Sequence, residues 1–463
     1  MSTWNYWQGM QGMQGMQGMQ GMQGMQGMQG MMLAPPALAL TPGADPAFST
    51  GLILTREAAM RARGQPHIRF NLPGPFRGPL AADGLPPLQD PARLDQWSAD
   101  IRFENLMAEL VQPLHLSADA TAHSFTVRHC ALDWPTDGQD ASLCLPKGTV
   151  SAQATLRPVY RLIRPPRSVF ESQLDQVCTW ADLRAERLTE ILTQIGVPLQ
   201  YWSAVLDLNP TTYRYTLELL HLALALMSYL NQPAKHTLGC PRPVDYSPSI
   251  QPIINARRFA AFPSGHAAEA YVVARMLWAL VNVGRSPAGP PTGDAQRMAD
   301  QLQRLAARIA NNRVVAGVHF PIDSTAGRMA GVTTAEYVLH RCGGLAEGWV
   351  PRTFDGSGLT ATHPEVTRGF DRGEPLDMFE AAETGKPLPL HFACNVLDRQ
   401  RLDRPWTLVN GQSDGLLAHL WQQASQEWRG SVLGPVPAAA PASKTARRAK
   451  PAQASIHPAA KKT

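Results

Sequence analysis

Charge is scarce in this chain of 463 residues: 17% are Asp, Glu, Lys or Arg, against 44% hydrophobic. The net charge of +5 at first suggests a polyanion partner. The tail alone, however, carries Lys444, Arg447, Arg448, Lys450, Lys461 and Lys462 with no acid among them. Setting those six aside from 42 basic residues leaves 36 against 37 acidic ones, so the body is neutral and no specific nucleic-acid partner is expected. Cysteine is sparse too. Cys130, Cys144, Cys178, Cys240, Cys342 and Cys394 include no CxxC pair, which argues against a zinc site and a disulfide scaffold. A basic segment followed by an apolar stretch, as in a secretory signal, is missing from the start. Long apolar runs are missing as well. Leu217 to Leu230 contains Glu218 and His221 and falls short of the ~20 residues that span a bilayer. Ala267 to Val283 contains Glu269 and Arg275, both expensive in lipid. The expectation is a cytoplasmic protein that is not integral to a membrane.

Proline (40) and glycine (37) are plentiful and divide the chain. Residues 8–31 are eight Gln-Gly-Met triplets, a low-complexity tract expected to be disordered within residues 1–45. Residues 46–171 mix short helical signals with alternating stretches, Ser124 to His129 and Thr149 to Ile163, and read as an α+β extension. Helical periodicity then takes over in residues 172–341: Leu174 to Ile195, Thr211 to Leu230, Ala267 to Val283, Asp294 to Asn311 and Ile322 to Leu339. Residues 342–432 return to loops with a helix near Leu416 to Trp428, and residues 433–463 are the basic tail, expected to be disordered. The fold class is therefore mainly α: a helical bundle core with an α+β N-terminal extension and disordered ends.

Three basic segments lie in the helical part. The first is Lys235-His236-Thr237-Leu238-Gly239-Cys240-Pro241-Arg242-Pro243, placed after a helix that ends at Asn231-Gln232-Pro233. Its lysine is a movable point charge and its arginine a rigid fork, and a group with three equatorial oxygens can use both. The second is Phe262-Pro263-Ser264-Gly265-His266. With Pro263 at the first helical position, it presents free amides and a positive dipole end to an anion, and Gly265 permits close approach. Ser264 adds a hydroxyl, and His266 can protonate a leaving oxygen near neutral pH. The third runs from Arg313 through His319 to Asp323. Pro321 marks a helix start, so Asp323 falls one turn beyond His319, in reach of the imidazole; a carboxylate there fixes the tautomer and makes the outer nitrogen more basic.

Lys-x6-Arg-Pro, Pro-Ser-Gly-His and Arg-x5-His-x3-Asp, in this order within ninety residues, resemble the three-part signature of the type-2 phosphatidate phosphatase and vanadium haloperoxidase superfamily. The resemblance covers about Ser172 to Arg341. Asn312 departs from it, standing where the family usually has serine. The resemblance implies an oxyanion site in which His319 is the nucleophile, Asp323 orients it, His266 serves as acid and base, and Lys235, Arg242, Ser264, Gly265 and Arg313 hold the oxygens. Two chemistries are implied by the same residues. One is hydrolysis of a small phosphate monoester without a metal or cofactor. The other is vanadate-dependent oxidation of halide by peroxide, with His319 ligating the vanadate. Pro241 stands where haloperoxidases often have tryptophan, whereas the spacer Tyr246-Ser247-Pro248-Ser249-Ile250-Gln251-Pro252 resembles theirs. A non-catalytic oxyanion-binding or scaffold protein is the third reading. In the haloperoxidase reading Phe259, Phe262 or Trp278 would form an apolar halide wall, but each is expected in the core, and Cys240 is expected to be a buried inert thiol.

Overall fold

The computed structural model describes Leu54 and residues 90–133, 153–196, 199–255, 259–283, 294–345, 348–362, 394–396 and 415–429. The Gln-Gly-Met tract and the basic tail lie outside them. The described chain is mostly helical. Its α-helices of six residues or more are α1 (Ala99–Val111), α2 (Arg167–Ser172), α3 (Leu174–Trp180), α4 (Arg184–Thr193), α5 (Leu199–Leu206), α6 (Arg214–Leu238), α7 (Gly265–Val281), α8 (Asp294–Val315), α9 (Pro321–Arg341) and α10 (Leu416–Glu427). Strands β1 (Leu114–Asp119), β2 (Ser124–Asp133), β3 (Gln153–Ile163), β4 (Arg352–Asp355) and β5 (Cys394–Val396) form one sheet in that order.

The central helix is α7, whose residues from Ala267 to Val281 are buried almost without exception. It packs between α6, α8 and α9. Contact with α9 is closest at two glycines four residues apart, which stack on one helix face. A Cβ on Gly327 would lie 2.4 Å from the Ser264 carbonyl oxygen, and one on Gly331 would lie 2.3 Å from that of Ala268. These two positions let α9 lie directly against the start of α7.

The helix expected to stop at Asn231–Pro233 instead runs to Leu238 and closes on Gly239, which takes the left-handed conformation at φ 60° and donates its N–H to the Lys235 carbonyl. Pro233 deletes one backbone donor, but Leu230, Ala234 and Leu238 remain buried on either side of it, and this packing carries the helix through. Lys235 is therefore a helical residue, not a loop residue. The segment expected as one helix from Leu174 to Ile195 is also different. It breaks into α3, a 3₁₀ turn at Ala181–Leu183 and α4, so that Trp180, Leu183 and Ile191 gather on Val315, Ala316 and Val318.

Distant parts of the chain close the fold. Strands β1, β2 and β3 pair antiparallel in sequence, whereas β4 joins β3 in parallel, with Tyr160 opposite Arg352. The Glu427 carboxylate accepts the Tyr215 and Thr216 amides at 2.8 and 2.9 Å, capping the first turn of α6 from α10. Arg102 of α1 forms a fork with Glu218 at 2.8 and 2.7 Å. Among the described residues no helix is long and apolar enough to cross a membrane.

Candidate active site

The three segments converge at the N-terminal ends of α7 and α9. Pro263, expected at the first helical position, lies before the helix: Ser264 is the N-cap of α7, its hydroxyl accepts the Ala267 amide at 3.4 Å, and Gly265 is the first helical residue. The Ser264 amide donates to the Asp323 carbonyl at 2.9 Å, which ties the start of α7 to the first turn of α9. The free amides of that first turn, with the positive end of the helix dipole, make an anion-binding terminus.

His319 lies just before α9 and is 3% exposed. Its Nδ1 is 3.1 Å from Asp323 Oδ2, and the same oxygen accepts the Phe320 amide at 2.9 Å. The carboxylate accepts, so Nδ1 carries the hydrogen and Nε2 keeps its lone pair. That Nε2 is 3.4 Å from Arg242 Nη1. Burial, then Arg242, Lys235, His266 and Arg313, hold the imidazole well below its ordinary range, which favours its uncharged form. Burial pushes the Asp323 carboxyl up, while the Phe320 amide, Lys235 and Arg242 pull it back.

The three cations are buried and are held mainly by groups that carry no charge. Lys235 Nζ donates to the Ala261 and Ala260 carbonyls at 2.7 and 3.2 Å. Arg242 donates from Nη1 to Val318 O at 2.6 Å and from Nε to Phe259 O at 3.1 Å. Arg313, in the last turn of α8, donates from Nη2 to Ile191 O at 3.0 Å and Gln194 Oε1 at 3.3 Å. Its Nε and Nη1 are buried with no hydrogen-bond partner among the described residues. Carbonyl partners orient a cation without cancelling its charge, so the positive potential stays available to an anion. Burial and Arg242 push the Lys235 ammonium down, and burial pushes Arg313 down to about 10. A bound oxyanion opposes both shifts.

His266 sits at the partly exposed first turn of α7 and donates from Nε2 to the Ile195 carbonyl at 3.3 Å. Burial, then Arg313, lowers it to about 3. Asn312, the departure from the family pattern, donates to Glu190 Oε2 and Gln194 Oε1, both at 2.9 Å. Glu190 in turn holds Arg308 in a fork at 2.9 and 2.7 Å. The substitution thus serves a network that sets Gln194 against Arg313.

A cleft of about 820 Å³ opens beside Lys235 and Arg242, bordered also by Gln232, His236, Pro241 and Phe259. Phe259, expected in the core, is instead 40% exposed. Its ring lies 4.7 Å from the Arg242 guanidinium and 5.4 Å from Lys235 Nζ. Phe262 and Trp278 are core residues, and burial pushes the Cys240 thiol up to about 12. Two polar residues outside the motifs also face Gly265: Asn231 on α6 and Glu269 on α7. The signal that could have found them is helical spacing, since Asn231 precedes Lys235 by four residues and Glu269 follows His266 by three.

Residues 217–343 match the family model of the PAP2 superfamily. The crystal structure of the first transmembrane PAP2-type phosphatidylglycerolphosphate phosphatase from Bacillus subtilis is similar at 20% identity over 37% of this chain and 84% of that one, with a TM-score of 0.30. No curated protein matches the chain.

Proposed function

We propose that this protein is a phosphatase that hydrolyses small phosphate monoesters through a phosphohistidine. The observation that carries this reading is the carboxylate-oriented His319, whose Nε2 lies 3.4 Å from the buried Arg242 guanidinium. In this scheme Nε2 attacks phosphorus and the P–O ester bond breaks. The bound phosphate anion opposes the lowering of His266, and the imidazolium it favours gives its proton to the departing alkoxide. In the second step His266 takes a proton from water, the water oxygen bonds to phosphorus, and the N–P bond breaks to release orthophosphate. Lys235, Arg242 and Arg313, the Ser264 hydroxyl and the Gly265 amide stabilise the equatorial oxygens as charge builds in the trigonal bipyramid. These side chains supply the charge neutralisation, so no metal is assigned a role.

The test is hydrolysis of an aryl phosphate in chelator by wild type and His319→Ala, with trapping of the phosphoprotein in alkaline denaturant. Turnover reduced by roughly 10³-fold or more in the variant, with an acid-labile and base-stable phosphoryl group on the wild type, is the expected result. Undiminished turnover in His319→Ala overturns the reading.

One observation favours a second reading, a vanadium-dependent haloperoxidase: the exposed Phe259 ring beside Arg242 offers an apolar wall at the mouth of the site. The donor set suits vanadate, which His319, Lys235, Arg242 and Arg313 would hold and which would supply activation of peroxide. Bromide-dependent consumption of peroxide after loading with vanadate, without ester hydrolysis, would select it.

A further inference from the structure

Asn231 and Glu269 belong to none of the three motifs, yet both reach the start of α7. A side chain built on Gly265 would meet Asn231 Nδ2 and Glu269 Oε1, each 3.9 Å away, as its nearest neighbours. On the side-chain face of the Gly265 Cα there is thus room for about one heavy atom, faced by these two groups. Asn231 is 1% exposed, and neither its Nδ2 nor its Oδ1 has a hydrogen-bond partner among the described residues. A buried amide left in that state costs about 1–3 kcal/mol per group, so its presence calls for a ligand that uses it. Glu269 makes no hydrogen bond among the described residues either; burial pushes its carboxyl up, and Lys235 and Arg313 pull it back only in part.

The pair constrains what fits. A phosphate oxygen can accept from Asn231 Nδ2 but offers no hydrogen to the unpartnered Asn231 Oδ1 or to an accepting Glu269 oxygen. An ammonium suits Glu269 but is opposed by Lys235, Arg313 and the Asn231 amide hydrogens. A hydroxyl satisfies both, accepting from Nδ2 and donating to Oε1.

We infer that Asn231 and Glu269 form a subsite for a hydroxyl on the alcohol part of the substrate, carried on the carbon next to the ester carbon. The preferred substrates are then phosphate monoesters of diols and polyols. The inference rests on the phosphatase reading for the identity of the ester, while the subsite itself is a matter of binding. A site built to hydrogen-bond a hydroxyl discriminates against the analogue lacking it, because its own buried groups are then left unpaired.

2-Hydroxyethyl phosphate and ethyl phosphate differ by that hydroxyl alone. Their affinities are measured by calorimetry on the full chain carrying His319→Ala, which removes turnover, and on the same background with Asn231→Leu or Glu269→Gln added. The expected result is at least tenfold tighter binding of 2-hydroxyethyl phosphate, with the ratio falling to within about twofold of unity in Asn231→Leu and partway in Glu269→Gln. Equal affinities in the starting background, binding of neither ester, or a ratio that both added substitutions leave intact overturns the subsite. Glu269→Gln, which preserves volume, keeps the test decisive should Asn231→Leu fail to fold. Wild-type hydrolysis of ethyl phosphate is read separately: its absence removes the phosphatase reading, while the affinity ratio still decides the subsite.

Discussion

One oxygen of Asp323 serves two partners: Oδ2 lies 3.1 Å from His319 Nδ1 and accepts the Phe320 amide at 2.9 Å. The carboxylate that orients the imidazole also caps the helix on which it stands, so the aim of Nε2 and the start of α9 are fixed together. Asp323→Asn keeps the shape but can present an amide nitrogen to either partner. Its kcat is expected to fall by roughly 10²–10⁴-fold through the wrong tautomer, with phosphate affinity changing by less than about tenfold. Steady-state kinetics with phosphate as product inhibitor measure both.

His266 links the site to acid stability. Burial and Arg313 hold its folded pKa at about 3, below the ~6.5 of an unfolded chain, so the unfolded state binds more protons between those values. Stability attributable to His266 is full above the unfolded pKa and is lost as pH falls through that window. Because the residue sits at a partly exposed position, wild type is expected to lose about 1–2 kcal/mol relative to His266→Gln between pH 6.5 and 4. Urea unfolding of both proteins at the two pH values provides the comparison.

Glu190 supports Arg313 at one remove, through Asn312 and Gln194. In Glu190→Ala, Arg308 loses its fork and Asn312 loses one acceptor, which loosens the carbonyl set that aims Arg313. KM for the ester is expected to rise by roughly tenfold and kcat to fall by less than about threefold, since such outlying partners typically cost 10–100-fold when removed. A change confined to thermal stability would assign Glu190 a structural role alone.

Gly327 and Gly331 set the spacing of α7 and α9. A methyl group at either meets a main-chain oxygen at 2.4 or 2.3 Å, a clash that no side-chain rotation relieves. Gly331→Ala and Gly327→Ala are each expected to destabilise the fold by about 2–4 kcal/mol. Gly327→Ala should also lower kcat/KM, because the displaced atom is the Ser264 carbonyl and the Gly265 amide moves with it. Calorimetric melting with kinetics below the transition separates the two effects.

Much of the site could be read from local sequence. Pro321 sets the start of α9, and the four-residue step to Asp323 follows from helix geometry alone, which is why the His319 pairing was predictable. Lys235 was misplaced because Pro233 signals a stop, and only burial of Leu230, Ala234 and Leu238 shows that the helix continues. Asn231 and Glu269 were missed for the same kind of reason: a polar residue within an apolar helix gains meaning only from what faces it across the interface. The parallel joining of β3 to β4 is likewise invisible locally, since Tyr160 and Arg352 share no sequence neighbourhood and local strand patterns do not encode their register.

The Glu427 cap on α6 has a consequence for synthesis. The amides of Tyr215 and Thr216 emerge from the ribosome 212 and 211 positions before their acceptor, an interval of roughly ten to forty seconds at typical elongation rates of ~5–20 residues per second. By then Lys235, Arg242, the α7 terminus, Arg313 and His319 have all been made. The nascent chain therefore carries every motif residue before the brace on the first turn of α6 exists, and Leu417, Leu420, Ala424 and Trp428 are the last of the described core residues to be made. A product of premature termination after Arg341 would keep all three motifs yet lack that brace.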